Sequence, residues 1–468
     1  HAINDTNTAL TITGVTVTGN TITSTGSSTN KAGAVMGTVG VATTTLDATV
    51  SGNTVTSGGT SIDRIYGRFG SNGSTLAVVG GTYDNKSSSF INPDASGTSH
   101  SISGGTFAAA IPAEFLAEGF KLVKNSDGTY TVKVKGPEAK IGTVEYKTLA
   151  EAIAAAKSGE EIVIIDAGTY TLPATLSDVK ISAASGLDVT VDYSAKSGGL
   201  GQFNNVTFKG ITFKFGTANY TGFQQSQNIT FEDCTLNGKF FSYGDMTFTG
   251  CTFNAPGSDV YGGSVDYSMW CYAGNITYTD CTFNAAGKFM NVYNEGLATS
   301  YKVVATDCTF NSSKASKAAL NVKETCGSIF LKYDVEVNNC TANGSFPVAS
   351  ETDSLIVFNE FVQVDDRNSD GDSAITVTID GTNAYPGPAV AKIGDVEYSS
   401  LKKAIKAAIQ TKGDVTVEIV ADIDLKNAAW PEMKVDGAAG SGMVTINGNN
   451  HSIKGLTAPL FSGTWAGK

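Results

Sequence analysis

Between Asn228 and Asn254 the chain repeats one phrase, NITFEDCTLNG and then DMTFTGCTFNA. Each copy is a short alternating strand, two turn-prone residues, and a second alternating strand whose first inward residue is cysteine. With the period of two that a β-strand imposes, Ile229, Phe231, Cys234 and Leu236 share one face, and Thr230, Glu232 and Thr235 share the other. One face suits a core and the other suits water. The phrase returns as NITYTDCTFNA from Asn275, KVVATDCTFNS from Lys302 and DVEVNNCTANG from Asp334, and without cysteine as NVTFKGITFK from Asn205. Its mean spacing is about 26 residues, inside the range of architectures that stack one unit on the next.

Composition agrees with many short strands and many turns. Only 16% of the 468 residues are charged, 41% are apolar and alternate instead of clustering, and 53 are glycine. The net charge of −12 comes with no basic stripe, which argues against a nucleic-acid partner. No apolar run reaches 18 residues, so no membrane span is expected. His1 opens directly into repeat-like sequence, so a leader or anchor would lie outside these residues. Five of the seven cysteines, Cys234, Cys251, Cys281, Cys308 and Cys340, occupy one inward slot, as small buried hydrophobes do. CxxC and Cys/His spacings are absent, so the slot reads as a core ladder, not a metal site.

Residues 1 to about 108 carry a degenerate phrase: LTITGVTVTGN, LDATVSGNTV, LAVVGGTYDN and HSISGGTF, with Val15, Asn53, Gly81 and Gly105 read into the cysteine slot. Residues 111–135 depart from it with a short helical piece, an Asp127-Gly128 turn and a strand pair, which reads as a closing cap. From Ala139, AKIGTVEYKTLAEAIAAAKSGEEIVII places Leu149, Ala152, Ile153 and Ala156 on one helical stripe, with Gly159 to stop it and a strand to follow. A stack's bare first strand needs covering, and a short amphipathic helix can do that. The same cap returns 252 residues later from Ala391, with Leu401, Ala404, Ile405 and Ala408 on the stripe.

Residues 139–390 therefore read as one complete capped module with the cysteine ladder, and residues 391–468 as the cap and first coils of a second. Residues 1–138 read as the body of a split module, so that residues 391–468 would be completed by residues 1–138 of a neighbouring subunit or repeat. Head-to-tail self-association through unfinished ends is one expectation; a boundary that merely cuts a longer protein is the other.

The NITFEDCTLNG, DCTFNA and DCTFNS phrases and the VEYKTLAEAIAAAKSGEEIVI cap resemble the right-handed parallel β-helix repeats of the pectate-lyase-like superfamily. The similarity is greatest to the versions in large surface proteins of Gram-positive bacteria, where ISGGTF, DGTYTV and an AKIG cap follow one another as they do here. The resemblance covers most of the chain. It implies an all-β, right-handed parallel β-helix with short capping helices, extracellular or wall-associated, and the bends Glu232-Asp233, Thr249-Gly250 and Thr279-Asp280 as tight corners between sheets. It says little of activity, because many such proteins only display surface.

Lyases of that fold use Ca²⁺-binding carboxylates and an Arg or Lys base, but the only arginines are Arg64, Arg68 and Arg367, none in the ladder. Hydrolases of the fold carry paired aspartates with Gly-His-Gly and Arg-x-Lys; Asp365-Asp366 is a pair, yet neither companion motif exists. The string DRNSDGD offers Asp366, Asn368, Asp370 and Asp372 as the front half of a Ca²⁺ loop, without the closing glutamate, Val377 standing there instead. A solvated turn is the alternative. Trp270 and Tyr272, in DYSMWCYAGN, read either as a sugar-stacking platform on one face or as core aromatics. Asn228, Asn275 and Asn343 begin Asn-x-Ser/Thr sites but are better explained as strand and turn residues than as glycan acceptors.

The expected function is a structural surface protein, a rod or fibre subunit with an adhesive role and a glycan or cell-surface ligand. A carbohydrate-active enzyme or carbohydrate-binding β-helix is the alternative. A cross-strand cluster of carboxylates with lysine in a groove would favour the enzyme, and smooth Thr- and Ser-rich flanks would favour the scaffold.

Overall fold

The computed structural model describes residues 11–24, 45–57, 74–84, 98–196, 198–216, 221–223, 226–254, 269–285, 290–292, 301–312, 318–323, 325–326, 329–330, 332–346, 350–351, 356–358, 361–365, 374–385, 387–425, 442–457 and 459. The fold is all-β apart from two short α-helices and a 3-10 turn among these residues, and most strand pairs are parallel. The chain divides into two units, residues 1–136 and 137–468.

In the larger unit three sheets are built concurrently. The first takes Glu161–Ile164, Thr175–Ala183, Gln202–Lys209, Gln227–Glu232, Met246–Thr249, Ile276–Thr279, Tyr301–Thr306, Lys332–Asn338 and Ala374–Ile379 in parallel order. The second takes Gly168–Tyr170, Val189–Tyr193, Thr212–Phe215, Thr235–Asn237, Thr252–Asn254, Thr282–Ala285, Thr309–Ser312 and Thr341–Gly344, each following its partner in the first. Gly222–Phe223, Phe240–Tyr243, Met269–Ala273, Met290–Val292, Leu320–Lys323 and Val362–Asp365 form the third in parallel, with Ile356–Phe358 and Ser350–Glu351 added antiparallel at its end. From Gln227 onward the chain visits first, second and third sheets in turn, so like residues of successive phrases become hydrogen-bonded neighbours.

The two-residue bend between first and second sheets has a simple chemical rule. Its second residue is Gly210, Asp233, Gly250, Asp280, Asp307 or Asn339, all with φ between 50 and 66°. Left-handed backbone is cheap for Gly and tolerable for Asp and Asn, whose short polar side chains suit it. The main-chain ladder continues across the bend: Asp233 N–H donates to the Thr249 carbonyl at 2.9 Å, and Thr252 N–H to that of Cys234 at 2.9 Å.

Inward residues stack like on like. Phe231 lies 4.9 Å from Phe248 with ring planes 7° apart, and Phe248 lies 5.2 Å from Tyr278. Phe253, Phe283 and Phe310 form a second file at 4.6 and 4.8 Å. Cys234, Cys251, Cys281 and Cys308 are buried free thiols and Cys340 is half-buried. Each donates to the carbonyl two residues back, Cys281 Sγ to Thr279 O at 3.3 Å for example.

A row the sequence reading passed over closes the second sheet's outer edge. Asn254, Asn284, Asn311 and Asn343 each donate a side-chain N–H to the side-chain carbonyl of the asparagine one repeat earlier, at 2.8 to 3.1 Å, beginning on Asn237. Asn284→Ala removes two of these half-buried bonds. A loss of about 1–2 kcal/mol in urea denaturation is the expected result.

Hairpins fold back over the stack. Ala139–Ile141 pairs antiparallel with Glu161–Ile164 and with Val144–Tyr146, and Thr382–Tyr385 folds antiparallel onto Ala374–Ile379. Helix α1, Leu149–Ala155, buries Leu149 and Ala152, while Ile153 and Ala156 pack half-buried on the same core. Thr148 caps its N-terminus by accepting from Glu151 N–H at 3.1 Å. The helix ends before Gly159, which instead sits in the turn that leads to the next strand, its N–H bonded to Asp178 O. Helix α2, Leu401–Gln410, repeats the design with Ser400 as cap and Leu401, Ala404, Ile405, Ala408 and Ile409 buried over a separate core. Lys403 Nζ reaches back to the Tyr385 hydroxyl at 3.3 Å and sits 5.6 Å over its ring.

In the smaller unit Thr11–Thr18, Thr45–Ser51, Ser74–Tyr83 and Thr98–Phe107 pair in parallel, closed by the antiparallel pair Phe120–Lys124 and Tyr130–Val134 around a Gly128 turn. Here one slot assignment is corrected. Val15 is in register with Ala48, not with Asn53. The chain runs through Gly14 with a register shift and bends only at Gly19, so Asn20 is the residue over Asn53, its N–H bonded to Asn53 Oδ1 at 2.9 Å. The Gly14-Val15 pair mimics a bend, but the second Gly-containing pair takes the corner.

His100 stands on Thr98–Phe107 with its ring 4.4 Å from that of Phe115. Burial pushes its pKa below the ordinary 6.5. Between the folded and unfolded pKa values the unfolded chain binds more protons. His100 therefore contributes stability that is full above about pH 6.5 and is lost as pH falls through the folded value. The expected outcome is a downfield-shifting imidazole NMR resonance with a midpoint below 6.5; a midpoint at or above it would contradict the packing.

Candidate functional site: the outer face of the first sheet

The outward residues of the first sheet form two adjoining columns, set by strand register. Lys180 is opposite Thr207, Thr207 opposite Thr230, then Thr247, Thr277 and Val304. Beside them run Ser182, Lys209, Glu232, Thr249, Thr279 and Thr306. The middle of the face is threonine, and charge gathers at its start.

There, Lys209 Nζ lies 3.2 Å from Glu232 and 3.4 Å from Asp233, and Lys180 Nζ lies 3.7 Å from Glu232 and 3.8 Å from Glu161. Glu161 also accepts from the Ser182 hydroxyl at 2.8 Å. Hydrogen bonds to Glu232 and Asp233 push the Lys209 pKa up. A lysine serving as base needs the opposite shift, so this cluster holds its charges as ion pairs. Lys302 and Glu336 make a further pair at 2.7 Å. The cluster was missed from sequence because its members lie on different repeats; aligning both outward columns, Glu161 with Lys180 and Lys209 with Glu232, would have found it.

The cysteine column runs on the inner side. Burial, then hydrogen bonding to the Cys251 thiol, pushes the Cys234 thiol well up. Hydrogen bonding to neighbouring thiols and burial do the same at Cys281 and Cys340. Hydrogen bonds with neighbouring thiols pull Cys251 and Cys308 the other way, to about 4, so the shifts alternate along the file. What its members share is inward packing, buried at Cys234, Cys251, Cys281 and Cys308 and half-buried at Cys340, and the column fills space in the core.

Trp270 and Tyr272 lie on Met269–Ala273 in the third sheet. Trp270 is in register with Phe241 and Asn291, whereas Tyr272 falls at a register irregularity, since Ser242 pairs Cys271 and Tyr243 pairs Ala273. Strict alternation between the two aromatics is therefore interrupted in the backbone. Farther along the third sheet Asn321 and Gln363 are buried, and the Gln363 side-chain N–H donates to Asn321. Asp366, Asn368, Asp370 and Asp372 lie outside the described residues. Among the described residues no group of three or more His, Cys, Asp or Glu could hold a metal ion, and no helix is long and apolar enough to cross a membrane.

Comparison with protein-family models, with curated proteins and with solved structures finds no match to the chain.

Proposed function

We propose that the chain is a structural, extracellular surface protein folded as a right-handed parallel β-helix, whose stiff stack of coils carries or spaces other groups at a bacterial surface. The observation that supports it best is the repetition of residue identity on both faces. The Phe, Cys and Asn files and the outward Thr columns all continue from repeat to repeat in register. A catalytic cleft asks for unlike residues at one place, whereas a scaffold asks for like residues at every place. The surface location draws on the resemblance of the phrases and caps to Gram-positive surface repeats. With parallel strands about 4.8 Å apart, the nine first-sheet strands from Glu161 to Ile379 would span roughly 40 Å. Electron microscopy of the purified protein should show elongated particles; compact round ones would sink the reading.

The ion-pair cluster at Glu161, Lys180, Lys209, Glu232 and Asp233 favours a second reading, a carbohydrate-active or carbohydrate-binding flank. Assay on a panel of acidic and neutral polysaccharides decides it. Turnover or retention that Glu232→Gln abolishes would establish it, and neither is expected of a scaffold. The DRNSDGD segment is the place to look for Ca²⁺: heats of Ca²⁺ addition that persist unchanged in Asp370→Ala would remove that site.

A further inference from the structure

The principal sheets of this chain end in two ways. Some ends are turned back by antiparallel strands that carry charge: Lys121 and Lys124 on Phe120–Lys124, Glu145 on Val144–Tyr146, Glu397 on Val396–Tyr398. Such strands discourage further pairing. Two ends differ. Among the described strands, Thr11–Thr18 pairs only in parallel with Thr45–Ser51, and Val444–Asn447 only in parallel with Val415–Ile419. Neither contains a charged residue or a proline.

Their side-chain rows stop half-finished. In one row Val50 and Val78 are fully buried while Val17, at the edge, is only half-buried. At the other edge Val417 is fully buried while Ile446, its partner, is half-buried, and Val444 likewise faces a buried Val415. Met443 and Leu456, 62% and 37% exposed, bracket that edge.

We propose that these edges join copies of this chain head to tail, the strand Thr11–Thr18 of one molecule adding in parallel to Val444–Asn447 of the next. The inference deepens the scaffold reading and rests on it. The sequences VTVTGN from Val15 and VTINGN from Val444 fix the register, Val15 on Val444 and Val17 on Ile446. The row of Val417 and Ile446 is then extended by Val17, and Thr16 and Thr18 stay outside. One polar contact would be repeated. Asn53 donates its side-chain N–H to the carbonyl of Val17, the partner of the residue three before it, at 2.9 Å. Asn20, one repeat earlier, would make the same bond to the carbonyl of Ile446 in the neighbouring molecule. The edge exchanges are main-chain hydrogen bonds, so shape and register select the partner, and a second copy carries both halves of the fit.

Blocking each edge separately tests this. Val17→Lys closes the front and Ile446→Lys closes the back. In sedimentation velocity the unsubstituted chain should gain mass in whole multiples as concentration rises, and each variant alone should stay monomeric at every concentration. A mixture of the two should form dimers and nothing larger, because one front and one back remain intact. Association by either variant alone, or a monomeric unsubstituted chain up to several hundred micromolar, overturns the proposal. To guard against misfolded variants, p-benzoylphenylalanine at the exposed Thr445 supplies an independent reading. Irradiation should cross-link between molecules to residues 11–24, and cross-links within one molecule or to residues 442–457 of another copy would refute the pairing. Elongated particles that never associate would overturn this inference alone, whereas round particles would overturn the scaffold reading beneath it.

Discussion

Phe231→Ala will lower the unfolding free energy of the 137–468 unit by about 4 kcal/mol, one of the largest losses any single truncation can produce here. Phe231 is fully buried and its ring meets four others: Phe208 at 5.5 Å, Phe213 at 5.4 Å, Phe223 at 6.0 Å and Phe248 at 4.9 Å. The cost of a cavity depends on how far the walls can collapse. These walls are strands tied on both sides, Gln227–Glu232 being bonded to Gln202–Lys209 and to Met246–Thr249, so collapse is opposed by two main-chain ladders. Phe231→Leu keeps most of the volume and should cost clearly less. Urea denaturation followed by far-ultraviolet circular dichroism separates the cases. A loss under about 1 kcal/mol for the alanine variant would mean that the aromatic file is not a packed core.

Gly274→Val is expected to be worse, preventing the unit from folding around that repeat. Gly274 has φ 129°, a conformation that side chains rarely adopt, and a Cβ there would run into the carbonyl group of Gly244 one repeat earlier. That neighbour is backbone held in its own stack, since a Cβ on Gly244 would in turn meet the Ser226 carbonyl. Relief requires two strands to move apart, beyond the roughly 4–5 kcal/mol that marks exceptional substitutions. Gly250→Asn is the matched control. Gly250 has φ 64°, but the same corner position is filled by Asp233 and Asp280 on either side, and the nearest obstacle is the movable Asp233 carboxylate at 2.6 Å. Its change in melting temperature should be small. Equal damage from both substitutions would mean that close approach of backbone is not what selects glycine at Gly274.

The corner explains why so much of this fold could be read in advance. Period two assigned Ile229, Phe231, Cys234 and Leu236 to one face, and all four are buried. A run of Asp, Gly or Asn after each first strand marked where the chain must turn, because only those residues hold left-handed backbone cheaply. The same rule misled at Gly14-Val15, where two glycine pairs competed for one corner and register, a property of the neighbouring strand, chose Gly19. Alternation through Trp270, Cys271 and Tyr272 met a similar limit, since a register shift comes from how a strand meets its partner. The ion pairs among Lys180, Lys209 and Glu232 could be foreseen only by laying repeats side by side. The asparagine file stood openly in CTLNG, CTFNA, CTFNS and CTANG, but a mark for turns hid a mark for stacking.

That file also measures something else. Successive asparagines are 17, 30, 27 and 32 residues apart along the chain, yet each meets the next at 2.8 to 3.1 Å. The bend after the first sheet keeps its two residues throughout, so the surplus is taken up after the second sheet, before the chain returns to the first. Length has been decoupled from position: one side of each repeat is conserved by geometry and the other is open text. Peptides of different size can be written into that side, one per repeat, without disturbing the frame. A grafted epitope placed between Asn254 and Met269 would be carried at a fixed height along the stack, and the heights of several such inserts would be set by their order in the gene.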